Sequence, residues 1–329
     1  MIPRTADWKN ALADAVRDPA ELLALLNLPQ SLLPKAREAA RQFPLRVTRS
    51  YLSRIRKGDI GDPLLRQVLP LEDELADIPG FEHDPVGDLG ASATPGVLHK
   101  YHGRALLTAT GACAIHCRYC FRRHFPYGEE NPGKQNWQGV VDYLQARPEL
   151  EELILSGGDP LMLDTPQLEQ LSRRLASQPQ LKRLRLHTRM PVVLPERIDT
   201  ALIDWLAGLP WQVVVVIHCN HPAEIDSEVA NTLHDLHAKG VTLLNQSVLL
   251  RGVNDNENTL LRLHEKLFKH RVIPYYLHLL DRVSGAAHFE VSERKAGELL
   301  HSLRQHSPGY LVPKLVREIE GEPHKRPMA

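Results

Sequence analysis

Two periodicities divide this chain, and the change between them falls near residue 100. Apolar positions recur at helical spacing in Trp8–Leu26, Ser31–Phe43 and Ser50–Lys57, so residues 1–76 are expected to be mostly helical. No catalytic constellation stands out there, and a packing or oligomerisation layer is the expectation. Asp77–Gly96 is rich in Pro, Gly and Asp and reads as an extended linker. From residue 104 onward, short apolar, β-branched runs alternate with amphipathic stretches. The strand candidates are Ala105–Ala109, Glu152–Leu155, Arg183–Leu186, Gln212–Ile217, Thr242–Leu244 and Val272–Leu279. Helix candidates lie near 137–146, 165–177, 199–207, 226–238, 258–269 and 292–305. Such βα units, about thirty residues apart, are the repeat of a parallel β/α barrel or open sheet. Eight units do not fit the remaining length. The fold class expected is α/β, with a partial (β/α)6 TIM-like barrel.

The polar residues support this reading, because function in β/α barrels sits at the C-terminal ends of strands. The first strand runs into a cysteine-rich loop, and the second ends in Ser156-Gly-Gly-Asp-Pro160. The third ends in His187-Thr188-Arg189 and the fourth in His218-Cys219-Asn220-His221. The fifth delivers Asn245-Gln246-Ser247, and the sixth His278 and Asp281. Asn220 and Ser247 are expected only to cap the helices that follow.

Charge and composition remove several classes of function. Lys+Arg and Asp+Glu are both 40, and a nucleic-acid binder would show a basic excess. The longest apolar stretch, Val213–Ile217, has the length of a buried strand and not of a membrane span. The first residues contain no apolar segment of the secretory kind. Three of four cysteines are clustered, which suits a reducing cytoplasm better than a disulfide framework.

Those three cysteines carry the chemistry. Cys113, Cys117 and Cys120 have Cys-x3-Cys-x2-Cys spacing, and thiolates this close can converge on one soft-metal centre. A zinc site completed by His116, His124 or Cys219 is the plainer alternative, but structural zinc usually shows a second Cys or His pair at short spacing. Three thiolates on a four-iron cluster leave one iron open to chelate a small molecule. In that respect the spacing resembles the radical S-adenosylmethionine (radical SAM) enzymes. The two glycines of Ser156-Gly-Gly-Asp-Pro160 allow close backbone approach. After the second strand they resemble the stretch that holds the amino group of S-adenosylmethionine.

From about Leu64 to Lys325 the chain resembles the lysine 2,3-aminomutase family, which also uses pyridoxal 5'-phosphate. The matching stretches include His99–Arg104, Cys113–Arg123, Ser156–Leu161, Pro191–Pro195, His221–Ile225, Leu244–Leu250, Gly252–Asp255 and Pro274–Tyr276. Cys117–Tyr127 and Gly321–Lys325 look like the branch that makes (R)-β-lysine for a ligase acting on elongation factor P. The resemblance implies Cys113, Cys117 and Cys120 as ligands of a 4Fe-4S cluster. It implies Gly157, Gly158, Asp159, His218 and Gln246 as contacts to S-adenosylmethionine. Lys100 and Arg104 would meet pyridoxal phosphate, and Lys325 would be the Schiff-base lysine. Arg122 would pair with the substrate carboxylate, and Asp281 and Glu318 would lie at its distal ammonium.

Two departures matter. A four-glycine loop before the Schiff-base lysine is replaced by Gly321-Glu-Pro-His, and an aspartate of the family is replaced by Glu318. The division implied is 1–96 for the helical region and linker, 97–306 for the barrel, and 307–329 for a pyridoxal phosphate-binding tail folded over the mouth. L-lysine, a reductant such as flavodoxin or ferredoxin, and the ligase are the implied partners, with neither nucleic acid nor membrane. An aminomutase for another amino acid such as glutamate, or a non-catalytic iron–sulfur protein, are the alternatives.

Overall fold

The computed structural model describes residues 7–128 and 137–328. Among these residues, ten strands form one sheet in sequential order. They are β1 (Ser92–Thr94), β2 (Val97–Tyr101), β3 (Arg104–Thr110), β4 (Glu152–Gly157), β5 (Arg183–Thr188), β6 (Gln212–His218), β7 (Thr242–Val248), β8 (Val272–His278), β9 (Lys314–Arg317) and β10 (Arg326–Pro327). β3 through β9 run parallel. β1 and β2 precede them as an antiparallel hairpin, and β10 folds back antiparallel on β9. β1 and β10 are the two ends of the strand order, so the sheet curls into an incomplete barrel.

β3–β8 are the six expected strands. The helices between them also lie where periodicity places them: α6 (Gln138–Gln145), α7 (Thr165–Leu175), α9 (Thr200–Ala207), α10 (Ser227–Ala238), α11 (Glu257–Lys269) and α12 (Glu293–His306). A short extra turn, α8 (Met190–Val193), follows β5. Most of these helices start on an aspartate, asparagine or serine whose side chain takes a first-turn N–H, as Asp199 and Asn256 do. β5 shows how one strand serves two faces. Leu184 and Leu186 are buried in the core, while Arg185 and His187 line the barrel interior.

The N-terminal half differs in detail from the sequence expectation. Trp8–Leu26 is two helices, α1 (Trp8–Ala13) and α2 (Pro19–Leu25), because Asp18 caps a new start at Pro19 and a residue before proline resists helix. Between them Val16 pairs with Val47. α3 (Leu33–Gln42), α4 (Arg49–Leu52) and α5 (Pro63–Arg66) complete the layer. Asp77–Gly96 is not a free linker, since it holds the whole of β1 and buries Val86 and Asp88. One hydrophobic core runs without a break from Trp8, Tyr51 and Leu65 to Leu107, Leu155, Leu186, Ile217 and Val272. A second cluster joins α11, α12, β8 and β9 through Leu260, Leu299, Leu277 and Leu315. No helix of the described residues is long and apolar enough to cross a membrane.

Candidate active site

The open barrel encloses a cavity of about 390 Å³ whose walls carry every residue implied above as a cluster, cofactor or substrate contact. Most of them reach it from the C-terminal end of a parallel strand or the loop that follows, while Lys100 comes from β2, Arg104 from the start of β3 and Lys325 from just before β10. The cysteine loop follows β3, and the N-terminal layer holds it in place. His116 N–H donates to Arg46 O at 3.0 Å, and Arg118 N–H to Gln67 O at 2.9 Å. Arg46 Nη1 donates to Cys113 O at 2.8 Å. Fully buried Glu74 receives Arg118 Nη2 at 2.5 Å and Arg123 Nη2 at 2.9 Å. The layer expected only to pack therefore shapes the loop.

The three thiols face one cavity, in which charge on Cys113 and Cys120 is disfavoured. Burial pushes Cys113 well above the usual thiol range, and the neighbouring cysteines add to this. Burial, then Cys117, lifts Cys120 to about 11. Such a site resists three bare thiolates and is suited to a metal centre that supplies positive charge. The zinc alternative finds no convergent set. His116 is tied through Nδ1 to Pro44 O at 2.8 Å, His124 points to Ser284 O at 3.3 Å, and Cys219 is buried in the core. Among the described residues, no three His, Cys, Asp or Glu side chains converge as one metal ion requires. Thiolates that bind separate irons of a cluster need not converge so closely.

Gly157 and Gly158 press the end of β4 against that loop. Gly157 has φ +109°, and a Cβ there would meet Thr110 O at 2.5 Å. A Cβ on Gly158 would collide with Ala112 O, and its N–H donates to Thr110 O at 2.7 Å. The glycines thus first serve close packing of two loops. Asp159 accepts Thr188 Oγ1 and Arg189 N–H, each at 2.7 Å, and Leu161 N–H at 3.0 Å. Burial lifts its pKa to about 6 against those bonds. On the next strands, His218 lies beside Gln246 across the β6–β7 register. Burial drives the His218 pKa down to about 3, leaving a neutral ring that meets Tyr119 Oη at 2.8 Å. Asn220 and Ser247 cap no helix. Asn220 Nδ2 donates to Tyr119 Oη at 2.8 Å, and Ser247 Oγ to Cys219 O at 2.8 Å.

The opposite wall is a chain of alternating charges. Arg122 Nε donates to Asp88 Oδ2 at 2.6 Å, and Lys100 Nζ meets Asp88 Oδ1 at 2.6 Å and Glu318 Oε1 at 3.1 Å. Lys325 Nζ pairs with the other Glu318 oxygen. Burial opposes charge at Arg122 and Glu318, but their partners prevail. The Arg122 pKa is raised and the Glu318 pKa is lowered. Gly321, at φ +78°, lies in the turn that brings β10 back onto β9, and Lys325, just before β10, lines the cavity. Arg104 stacks over Tyr101 at 4.7 Å and has no carboxylate partner among the described residues. Asp281 is the exception to neutralisation. Its Oδ1 is buried without a hydrogen-bond partner, and burial pushes its pKa up to about 7.

Comparison with known proteins agrees with this geometry. The Radical SAM superfamily profile matches residues 107–263. L-lysine 2,3-aminomutase of Escherichia coli is 51% identical over 327 residues, covering 99% of this chain and 95% of that protein. The Haemophilus influenzae protein of the same name is 48% identical over 99% of this chain and 96% of its own. This chain belongs to the lysine 2,3-aminomutase family. The enzyme of that name from Clostridium subterminale is 33% identical, over 98% of this chain and 77% of its own. A radical SAM methyltransferase structure from Sphaerobacter thermophilus aligns with TM-score 0.50 at 17% identity, covering 67% of this chain and 68% of that one, and so shares the fold. The protein is therefore an isomerase of the aminomutase type, with the four-iron cluster and S-adenosylmethionine that radical SAM membership entails.

Asp88, Glu74, Gln67 and Glu224 carry no sequence signal as site residues, and Arg189 stands at the rim in the sequence without a role. Asp88 sits in a stretch whose composition reads as linker. The others reach the site from elements whose contacts only the folded chain reveals.

Proposed function

We propose that this aminomutase converts L-lysine to β-lysine, the R form, using pyridoxal 5'-phosphate beside the cluster and S-adenosylmethionine. The observation that carries the substrate reading is Asp281. A carboxylate with one oxygen buried and unpartnered among the described residues calls for a cation, and it lies in the same cavity as Arg122 and Lys325. Lysine offers a carboxylate for Arg122 and an ammonium for Asp281. Glutamate would set a second carboxylate against Asp281, and like charges repel.

Cys113, Cys117 and Cys120 would hold the cluster. Gly157, Gly158, Asp159, His218 and Gln246 form the wall where S-adenosylmethionine would lie. Asp159 is already engaged by chain donors, so in this reading it shapes that wall. Arg104, without an ion pair among the described residues, would bind the cofactor phosphate, with Lys100 beside it. Buried Nε of Arg185 and Nε2 of His187, both without partners, give that region further unsatisfied polar groups. Lys325 is the amine that would carry pyridoxal phosphate, and Glu318 holds its ammonium until then. The cluster and S-adenosylmethionine supply a radical able to take an unactivated hydrogen, and pyridoxal phosphate supplies a conjugated system for the migrating amino group. The chain orients the substrate between Arg122 and Asp281, keeps His218 neutral, and encloses the reacting atoms in the barrel.

A flavodoxin- or ferredoxin-type donor would reduce the cluster. The product would pass to a ligase that modifies elongation factor P, a reading supported by the resemblance of Cys117–Tyr127 and Gly321–Lys325 to that branch. Four cysteines with no disulfide among them fit work in the reducing cytoplasm. The test is anaerobic incubation with L-lysine, S-adenosylmethionine, pyridoxal phosphate and a reductant, followed by chiral analysis. (R)-β-lysine is expected. Turnover of glutamate but not lysine would sink the substrate assignment. Borohydride reduction of the pyridoxal-loaded protein should place the label on Lys325, and a label on Lys100 would overturn that role.

A further inference from the structure

One buried cation at the barrel mouth has no part in the roles assigned so far. Arg189 follows β5 and is 6% exposed. Its backbone N–H donates to Asp159 Oδ2 at 2.7 Å, which fastens it to the Gly-Gly-Asp loop. Its guanidinium is shared between two sides. Nη1 donates to Cys117 Sγ at 2.8 Å. Nη2 donates to Gln67 Oε1 at 2.7 Å and to Glu224 Oε2 at 2.8 Å.

Glu224 is held as firmly. It is fully buried, and it accepts the backbone N–H groups of Asn220 and His221, each at 2.9 Å, and Gln67 Nε2 at 3.2 Å. Arg189, then these chain donors, keep its carboxyl below the usual range despite burial. A guanidinium that only balanced a buried carboxylate would present two nitrogens to it in a fork. Here the fork is split, and one arm is spent on sulfur.

We infer that Arg189 and Glu224 act as a positioning pair that sets the reduction potential of the iron–sulfur cluster through Cys117. The inference rests on the reading of Cys113, Cys117 and Cys120 as cluster ligands. Reduction adds one electron from an external low-potential one-electron donor. The cluster gains one negative charge, and its ligand sulfurs share it. Hydrogen bonds to those sulfurs are among the factors that set cluster potentials. A cationic N–H on Cys117 stabilises the reduced form and raises the potential. Glu224, against the far side of the same guanidinium, partly cancels that charge and holds the potential down. Both groups are buried, so salt screens neither strongly. The pair has no part in the proposed binding of substrate or pyridoxal phosphate. It acts through another residue, and its effect is on the ease of electron entry.

The experiment compares Arg189→Gln and Glu224→Gln with the unmodified protein. Each is reconstituted anaerobically, assayed for iron and sulfide, and titrated with the electron paramagnetic resonance signal of the reduced cluster as readout. Arg189→Gln should shift the potential to more negative values and Glu224→Gln to more positive ones. Each shift should reach roughly a tenfold change in the reduced-to-oxidised ratio at fixed potential, which is about 59 mV for one electron. Arg189→Lys keeps the charge and should stay closer to the unmodified protein. If Arg189→Gln does not retain a cluster, Arg189→Lys and Glu224→Gln still report the sign. Intact clusters with unshifted potentials, or shifts of one sign in both variants, would overturn this inference alone and leave Arg189 as a prop for the loop. An unmodified protein that takes up no redox-active cluster would overturn the cysteine reading and this inference together.

Discussion

Asp281 concentrates the electrostatic cost of the site. Burial raises its pKa to about 7, with Lys325 opposing and Glu318 and Asp88 reinforcing the shift. The ordinary value is about 3.9, so the folded protein loses stability as pH rises between those limits, where the buried carboxyl must ionise. A bound ammonium removes that cost. Lysine affinity should therefore rise roughly tenfold per pH unit up to about pH 7 and level off above it. Calorimetric titration of the loaded protein across pH 5.5–8.5 checks this. Asp281→Asn should flatten the slope and erase the preference for lysine over norleucine; a slope equal to that of the unmodified protein would remove Asp281 from the binding site. Arg122→Lys keeps the charge but loses the fork. The loss of one charged hydrogen bond is worth about 2 kcal/mol, or roughly thirtyfold in KM for lysine. An unchanged KM would place the substrate carboxylate elsewhere.

At the scale of elements, the end of β4 and the cysteine loop form one unit. Gly158→Ala would force the two apart at Ala112, and overpacking of this kind costs about 1–3 kcal/mol. The variant should melt earlier and retain less iron after reconstitution, while circular dichroism still reports the barrel. Full iron content in a folded variant would mean that the loops do not need this approach. Glu74→Gln tests the other side of the loop. It leaves Arg118 and Arg123 buried without their carboxylate, and breaking a buried pair costs about 3–5 kcal/mol. Urea unfolding should show that loss. A cost under about 1 kcal/mol would mean that the pair behaves like a surface one.

At the scale of the molecule, the barrel is incomplete, and charge spans its seam. Lys100 on β2 reaches Glu318, which follows β9, and Glu318 reaches Lys325, which precedes β10. The tail is therefore both part of the sheet and part of the site. Removing residues 307–329 would strip β9 from β8 and expose the apolar cluster around Leu277 and Leu299. Aggregation on size-exclusion chromatography is expected from that truncation, whereas Lys325→Ala should stay monodisperse and lose only pyridoxal labelling. A well-behaved truncated barrel would show that the tail merely lies on the surface.

The sequence by itself determined the six central strands, their helices and the cysteine motif, because each rests on local information. Burial on both faces demands apolar runs such as Val213–Ile217, and a cluster loop demands thiols a few residues apart. It also placed Lys325 at the mouth through resemblance, not through any physical signal in a polar tail. Only the tertiary structure decided that Trp8–Leu26 breaks at Asp18, that β9 adds a seventh parallel strand, and that Asp88 is buried between Lys100 and Arg122. The same holds for Arg189, which meets Cys117 across 72 residues and Gln67 across 122. An arginine or aspartate in a loop carries the same local pattern whether it is solvated or buried against a partner. What separates the two cases is which distant groups the barrel brings within hydrogen-bonding distance, and no window along the chain contains that distance.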